Sequence, residues 1–417
     1  MHTYTWIFII PFIITLALQL WLSFRQGAHV KKHRSAVPDE FKDKVSLEEH
    51  QKAADYTMAK GGYGRFELLL GSVLLLLWTL GGGLNVLDQW LRTFDLGGIT
   101  TGVAVILSFT LISSLVDIPT SLYSHFVIEE KFGFNKLTLK TFFIDLLKNT
   151  VLSIVIGVPL IMLVLWLMES AGELWWLYAW LAITLFSLLM MWAYPKFIAP
   201  IFNKFKPLEE GEVLSRITKL LERTGFNSQG VFVMDGSRRS SHGNAYFTGF
   251  GKNKRIVFFD TLLKHLSPSE VEAVLAHELG HFKRKHVIKG LVLSMLMTLA
   301  GFAILAYLMK QDAFYHVLGV EQSSTYMALL LFMLVAPIYT FFIGPMMAWW
   351  SRKHEFEADE FAAKESSAKE LISALVGLYK KNAGTLTPDP LYSSFYDSHP
   401  PASIRIAHLK QAGGLES

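Results

Sequence analysis

Apolar residues in this chain of 417 are gathered into long runs separated by shorter charged stretches. A helix crossing a bilayer core takes about 20 mostly apolar residues, because every backbone polar group must be bonded within the segment. Seven runs reach that length, at 4–24, 66–87, 101–123, 150–168, 174–193, 288–309 and 326–350. The first has no Lys or Arg ahead of it, is too long for a signal sequence and lacks a small-residue cleavage site behind it, so it is expected to remain as a span. Two shorter patterns stand outside the runs. Val271, Val274, Leu275 and Leu279 recur at helical spacing after Ser267, Pro268 and Glu270, an N-cap, a first-turn proline and a capping-box partner. NAYFTGFG (244–251) and KRIVFFD (254–260) alternate about the turn-like GKNK, which predicts a β-hairpin.

Composition agrees with a membrane protein: 52% of the residues are apolar and 18% charged. Cysteine is absent, which excludes disulfides and thiolate catalysis and leaves His and carboxylates as the ligands for any metal. The net charge of +4 is not gathered into a basic stripe with interleaved aromatics, so no nucleic-acid partner is expected. Lys and Arg are unevenly placed. The connections after the first and third runs carry thirteen of them, whereas those after the second, fourth and sixth hold only Arg92 and Lys310. By the positive-inside rule the N-terminus lies outside, and the C-terminus and both hydrophilic segments lie in the cytoplasm. The chain then divides into helices 1–5 with their connections (1–195), a cytoplasmic catalytic segment (196–286), helices 6 and 7 (287–350) and a C-terminal cytoplasmic segment (351–417). No function is legible in the mixed-charge stretch 26–65.

The capped helix carries HELGH at 277–281. Its two histidines are four residues apart, so both imidazoles leave one face and can hold a single metal ion. Glu278, beside the first ligand, can reach a metal-bound water and take its proton. SRKHEFEAD, after the seventh run, offers a third ligand: Glu355 would complete a His/His/Glu set, and Asp359, one turn on, could fix the tautomer of a ligand imidazole. Spacing alone leaves Glu357 and Glu360 open as alternatives. Asp117, deep in the third run, is costly in lipid and should face a polar interior. Pro119, Pro337 and Pro345 suggest kinks in buried or water-lined helices.

HELGH, SRKHEFEAD and the seven runs together resemble the integral-membrane zinc peptidases of the CAAX prenyl protease type 1 family. EEKFGFNKLT (129–138), YPKFIAPIFNKFKPL (194–208), SSHGNAYFTGFG (240–251), RIVFFDTLL (255–263) and DSHPPASIRI (397–406) look like that family's segments in the same order, so the likeness covers nearly the whole chain. The resemblance implies an all-α integral membrane protein, seven transmembrane helices around an intramembrane chamber, with the HExxH site and a small β-hairpin at its cytoplasmic end. It selects Glu355 as the third ligand of one Zn2+ ion held with His277 and His281. Glu278 is then the general base, His399 and Arg405 stand near the developing oxyanion, and Asn244 binds the substrate backbone. An edge strand ahead of the zinc helix could also pair with an extended peptide.

The expected function is zinc-dependent hydrolysis of prenylated or other hydrophobic, membrane-associated peptides, in the plasma membrane of a prokaryote or the endoplasmic reticulum of a eukaryote. Two alternatives accompany it. A quality-control peptidase of the heat-shock type shares the motif with fewer spans, and a non-enzymatic zinc-binding transporter or scaffold would need neither Glu278 nor the hairpin.

Overall fold

The computed structural model describes residues 5–248 and 254–415. The first residue of the first predicted span and the hairpin turn at 249–253 lie outside them. The helices that matter here are α1 (Thr5–His33), α2 (Leu47–Trp78), α3 (Gly83–Arg92), α4 (Gly98–Tyr123), α5 (Leu139–Ser170), α6 (Trp175–Ala193), α7 (Glu212–Thr224), α8 (Pro268–Lys283), α9 (His286–Leu308), α10 (Thr325–Thr340), α11 (Gly344–Glu365), α12 (Ala368–Lys381) and α13 (Ala402–Ala412).

Six helical stretches among the described residues are long and apolar enough to cross a membrane, counting α10 with α11, and a seventh if α2 and α3 are taken as one bent span. The second predicted span, 66–87, ran through that bend. The chain in fact leaves the helix after Trp78, turns by 49° and re-enters at Gly83. The run TLGGG explains the difference, since glycines sit there at low cost outside helical geometry, Gly82 at φ +77°. The seventh span runs on from Thr325 to Glu365 as one stretch, tightening to a single 3-10 turn at Phe341–Ile343 between Pro337 and Pro345.

Apolar side chains cover the outside of these helices. Ile7, Leu115, Val155, Leu185 and Met333 are all more than half exposed, the inverse of a water-soluble core and suited to lipid. Between the helices lies a chamber of about 1260 Å3 whose wall includes Asp117, Ser121, Asp145 and Asn149. Asp117 thus faces the polar interior its sequence position demanded.

The polar part has its own core, in which Val271, Leu275 and Leu279 of α8 pack with Leu371 and Leu375 of α12 and with Ile406 and Leu409 of α13. The hairpin forms as predicted, Tyr246 opposite Val257 and Phe247 opposite Ile256 in antiparallel register. It belongs, however, to a four-stranded sheet. β1 (Phe205–Pro207) and β2 (Val231–Met234) join β3 (Ala245–Thr248) and β4 (Arg255–Phe259) in the order β1-β2-β4-β3, so β3 is an edge.

Candidate metal centre

α8 starts on the predicted box: Ser267 accepts from the Glu270 amide while the Glu270 carboxylate accepts from the Ser267 amide. That fixes the phase of the helix and turns HELGH toward α11. The glycine of the motif has a packing role. A Cβ on Gly280 would lie 2.8 Å from the Ala358 Cα and 3.0 Å from its carbonyl oxygen, so only glycine lets the two helices approach this closely. The approach brings together His277, His281 and Glu355, whose ligand atoms all lie within 4.8 Å of one another.

Their spacing suits a metal. His277 Nε2 and His281 Nε2 are 3.2 Å apart, and the Glu355 oxygens lie 3.1 Å from His281 Nε2 and 3.5 Å from His277 Nε2. Tetrahedral ligands at zinc distances are separated by about 3.3 Å. Buried Glu355 Oε2 has no hydrogen-bond partner, an orphan that a cation would satisfy.

Each imidazole is held from behind. His277 Nδ1 donates to Asp359 at 2.8 Å, leaving Nε2 for the metal. Burial pushes the His277 imidazole down, but Asp359 and Glu355 outweigh it and raise its pKa to about 9, the response to an excess of negative charge around the ring. Arg405 neutralises part of that charge: it is buried, donates to both Asp359 oxygens at 2.6 and 2.8 Å, and places Nη1 3.4 Å from Glu355.

The support of His281 was not read from sequence. Its Nδ1 lies 3.0 Å from His286 Nδ1, and His286 Nε2 lies 3.0 Å from Glu357, with His354 stacked on His286 at 3.9 Å. With Nε2 reserved for a metal, one tautomer chain satisfies every atom. His281 Nδ1–H donates to His286, and His286 Nε2–H donates to Glu357. Glu357, one of the alternatives for third ligand, therefore sits two imidazoles away from the metal position, behind His286 and His281.

A cleft of about 300 Å3 opens beside the triad. Glu278, half-buried, lines it with Asn244, His399, Arg405 and Tyr379. The exposed imidazole of His399 has Nε2 3.5 Å from Glu355 Oε1. Asn244 immediately precedes β3, and its carbonyl accepts from the Phe259 amide at 2.9 Å. All eight candidate residues therefore meet at one place: His277, His281 and Glu355 present atoms that could share one metal ion, Asp359 and Arg405 lie behind them, and Glu278, Asn244 and His399 border the cleft.

A helical membrane fold enclosing a His/His/Glu centre beside a peptide-sized cleft defines a membrane metallopeptidase. Residues 26–204 match the family described as CAAX prenyl protease N-terminal, five membrane helices, and residues 207–412 match peptidase family M48. The chain is 34% identical to CAAX prenyl protease 1 of Saccharomyces cerevisiae, over 95% of this chain and 93% of that protein. It is 32% identical to the Homo sapiens CAAX prenyl protease 1 homolog, over 95% and 94%. The crystal structure of S. mikatae Ste24p superposes with a TM-score of 0.91 at 32% identity, over 98% of this chain and 99% of that one. The chain belongs to peptidase family M48.

Proposed function

We propose that the chain is a zinc endopeptidase that cuts prenylated C-a-a-X tails, or similarly hydrophobic membrane-associated peptides. The observation that carries this reading is the convergence of His277, His281 and Glu355 at tetrahedral spacings beside the Glu278 cleft. Relatives matching over the chain's full length are named CAAX prenyl proteases, which supports the substrate class. His277, His281 and Glu355 would hold one Zn2+ ion, which when bound would supply Lewis acidity toward water and the scissile carbonyl.

The chain's own residues do the rest. Glu278 takes a proton from the attacking water and returns it to the leaving nitrogen as the C–N bond breaks, so no acyl-enzyme forms. His399 donates to the carbonyl oxygen as it becomes negative, and Arg405 adds positive potential from beneath while holding Asp359. Asn244 fastens the substrate backbone, and the open side of β3 pairs with the extended peptide.

The protein sits with its N-terminus outside and the catalytic segments in the cytoplasm, where the Lys- and Arg-rich connections fall. Lys283, Arg284, Lys285 and Lys289 then mark the membrane surface beside the site. The endoplasmic reticulum is the membrane of residence in a eukaryote, and the plasma membrane in a prokaryote. The test is cleavage of a quenched farnesylated C-a-a-X peptide by purified protein, lost with a chelator and regained with zinc. Purified, metal-loaded protein that leaves such peptides intact overturns the reading.

A further inference from the structure

The mixed-charge stretch 26–65 forms one wall of a second cavity, of about 820 Å3, set between α1, α2 and the segment after α12. Three cations line it, Lys31, Lys60 and Arg65, and no Asp or Glu does. Among the described residues, none of the three makes an ion pair. Arg65 lies over the Phe24 ring at 4.5 Å and donates to Ser23, and Lys60 lies over the Tyr56 ring at 5.2 Å. Three cations with no acidic residue beside them in one hollow make it a receptor for a negative group.

The walls are also hollowed where the sequence could have filled them. Gly27 and Gly64 stand within α1 and α2, yet a Cβ on either would meet nothing within 4 Å. A glycine inside a helix costs about 1 kcal/mol relative to alanine, and no close helix contact explains these two. Their effect is to widen the cavity.

Position identifies the occupant. The cavity shares the lining residues Asn382 and Gly384 with the Glu278 cleft, so the two adjoin. Asn382 Oδ1 also accepts from the Gly243 amide at 3.2 Å and lies 3.2 Å from His242 Nδ1, fastening the two residues that lead into Asn244 and β3. A peptide added antiparallel to β3, the more stable pairing, runs from the Thr248 end toward Asn244. Its C-terminal part therefore leaves the cleft past Gly243 and Asn382, toward the cations. A tail of three residues, each spanning about 3.3–3.6 Å, reaches about 10 Å beyond the cleft.

Resting on the peptidase reading above, we propose that the cavity lined by Lys31, Lys60 and Arg65 binds the free C-terminal carboxylate of the peptide beyond the scissile bond. The chain then selects substrates that end shortly after the cut.

The test uses two quenched peptides identical except for a C-terminal carboxylate or carboxamide. Their binding to full-length Glu278→Gln protein and their cleavage by the unaltered protein are both measured. The carboxylate peptide is expected to bind roughly tenfold or more tightly, with the difference in cleavage appearing in KM. In Lys31→Gln/Lys60→Gln/Arg65→Gln protein, that preference should fall to about one, the carboxamide serving as the internal standard for a folded site. Equal binding of the two peptides by the unaltered cavity overturns the proposal, as does a preference that survives the triple substitution. So does a triple variant that changes only the response to anionic lipid in vesicles, which would make the cavity a headgroup site. Tight, carboxylate-dependent binding without cleavage would instead refute the peptidase reading and leave only the cavity's recognition of a peptide carboxylate standing.

Discussion

Replacing His286 by alanine tests whether a chain of imidazoles, rather than a carboxylate, orients the second metal ligand. His286 is buried and joins His281 Nδ1 to Glu357 through two contacts of 3.0 Å. Without it, the His281 N–H loses its acceptor and the ring is free to turn its ligand nitrogen away. Each lost hydrogen bond weakens the arrangement by about 0.5–1.5 kcal/mol. Glu357, partly exposed, recovers some of that by hydration. The two together amount to about 1–3 kcal/mol before that recovery, a loss of roughly 5- to 100-fold in metal affinity. Competition with a chromophoric chelator measures it on purified protein, independently of turnover. His286→Gln, which keeps one acceptor and one donor at similar reach, should recover part of the loss. Affinity unchanged within a factor of two in His286→Ala refutes the reasoning.

Gly280→Ala forces α8 and α11 apart and should cost about 1–3 kcal/mol of stability while loosening the metal, read as a lower Tm and a weaker metal Kd. Arg405→Met leaves the buried Asp359 carboxylate short of its partner and should cost about 3–5 kcal/mol in thermal unfolding. Arg405→Lys should recover little, because an ammonium cannot make the two-pronged contact. Burial pushes the Asp260 carboxyl up, but hydrogen bonds from the Ser237 hydroxyl and amide outweigh it and hold it below its ordinary value of 3.8. Its stabilisation is therefore present above that value and lost as pH falls through the lowered one. Asp260→Asn should melt earlier than the unaltered protein at neutral pH, and the two should converge in strong acid.

The parts of the fold legible in the sequence were those written as long or repeated patterns. A run of twenty apolar residues has few fates, so the spans were found, while the bend at Gly82 was lost inside one of them. β2 was missed because VFVM is four residues with no alternation, and β1 because FKP is three. HELGH announced its two ligands through helical periodicity. Glu355 did not announce itself, since Glu357 and Glu360 lie on the same helix and only the likeness to a known family separated them. His286 was invisible for a different reason. It sits five residues after His281 across a helix break at Lys285, where φ is +59°, and no fixed spacing carries a contact through such a corner. Arg405 was legible as a residue near the site, but its grip on Asp359 depends on how α13 packs against α11, which the linear sequence does not state.

The account rests on one ion shared between segments that two membrane helices separate. Metal bound per chain, measured on dialysed protein by elemental analysis, tests this most directly in three forms of the protein. One equivalent is predicted for the unaltered chain and for Glu278→Gln, the latter with turnover reduced by orders of magnitude. Glu355→Ala is predicted to retain little or none. A Glu355→Ala protein that holds a full equivalent at unaltered affinity contradicts the claim.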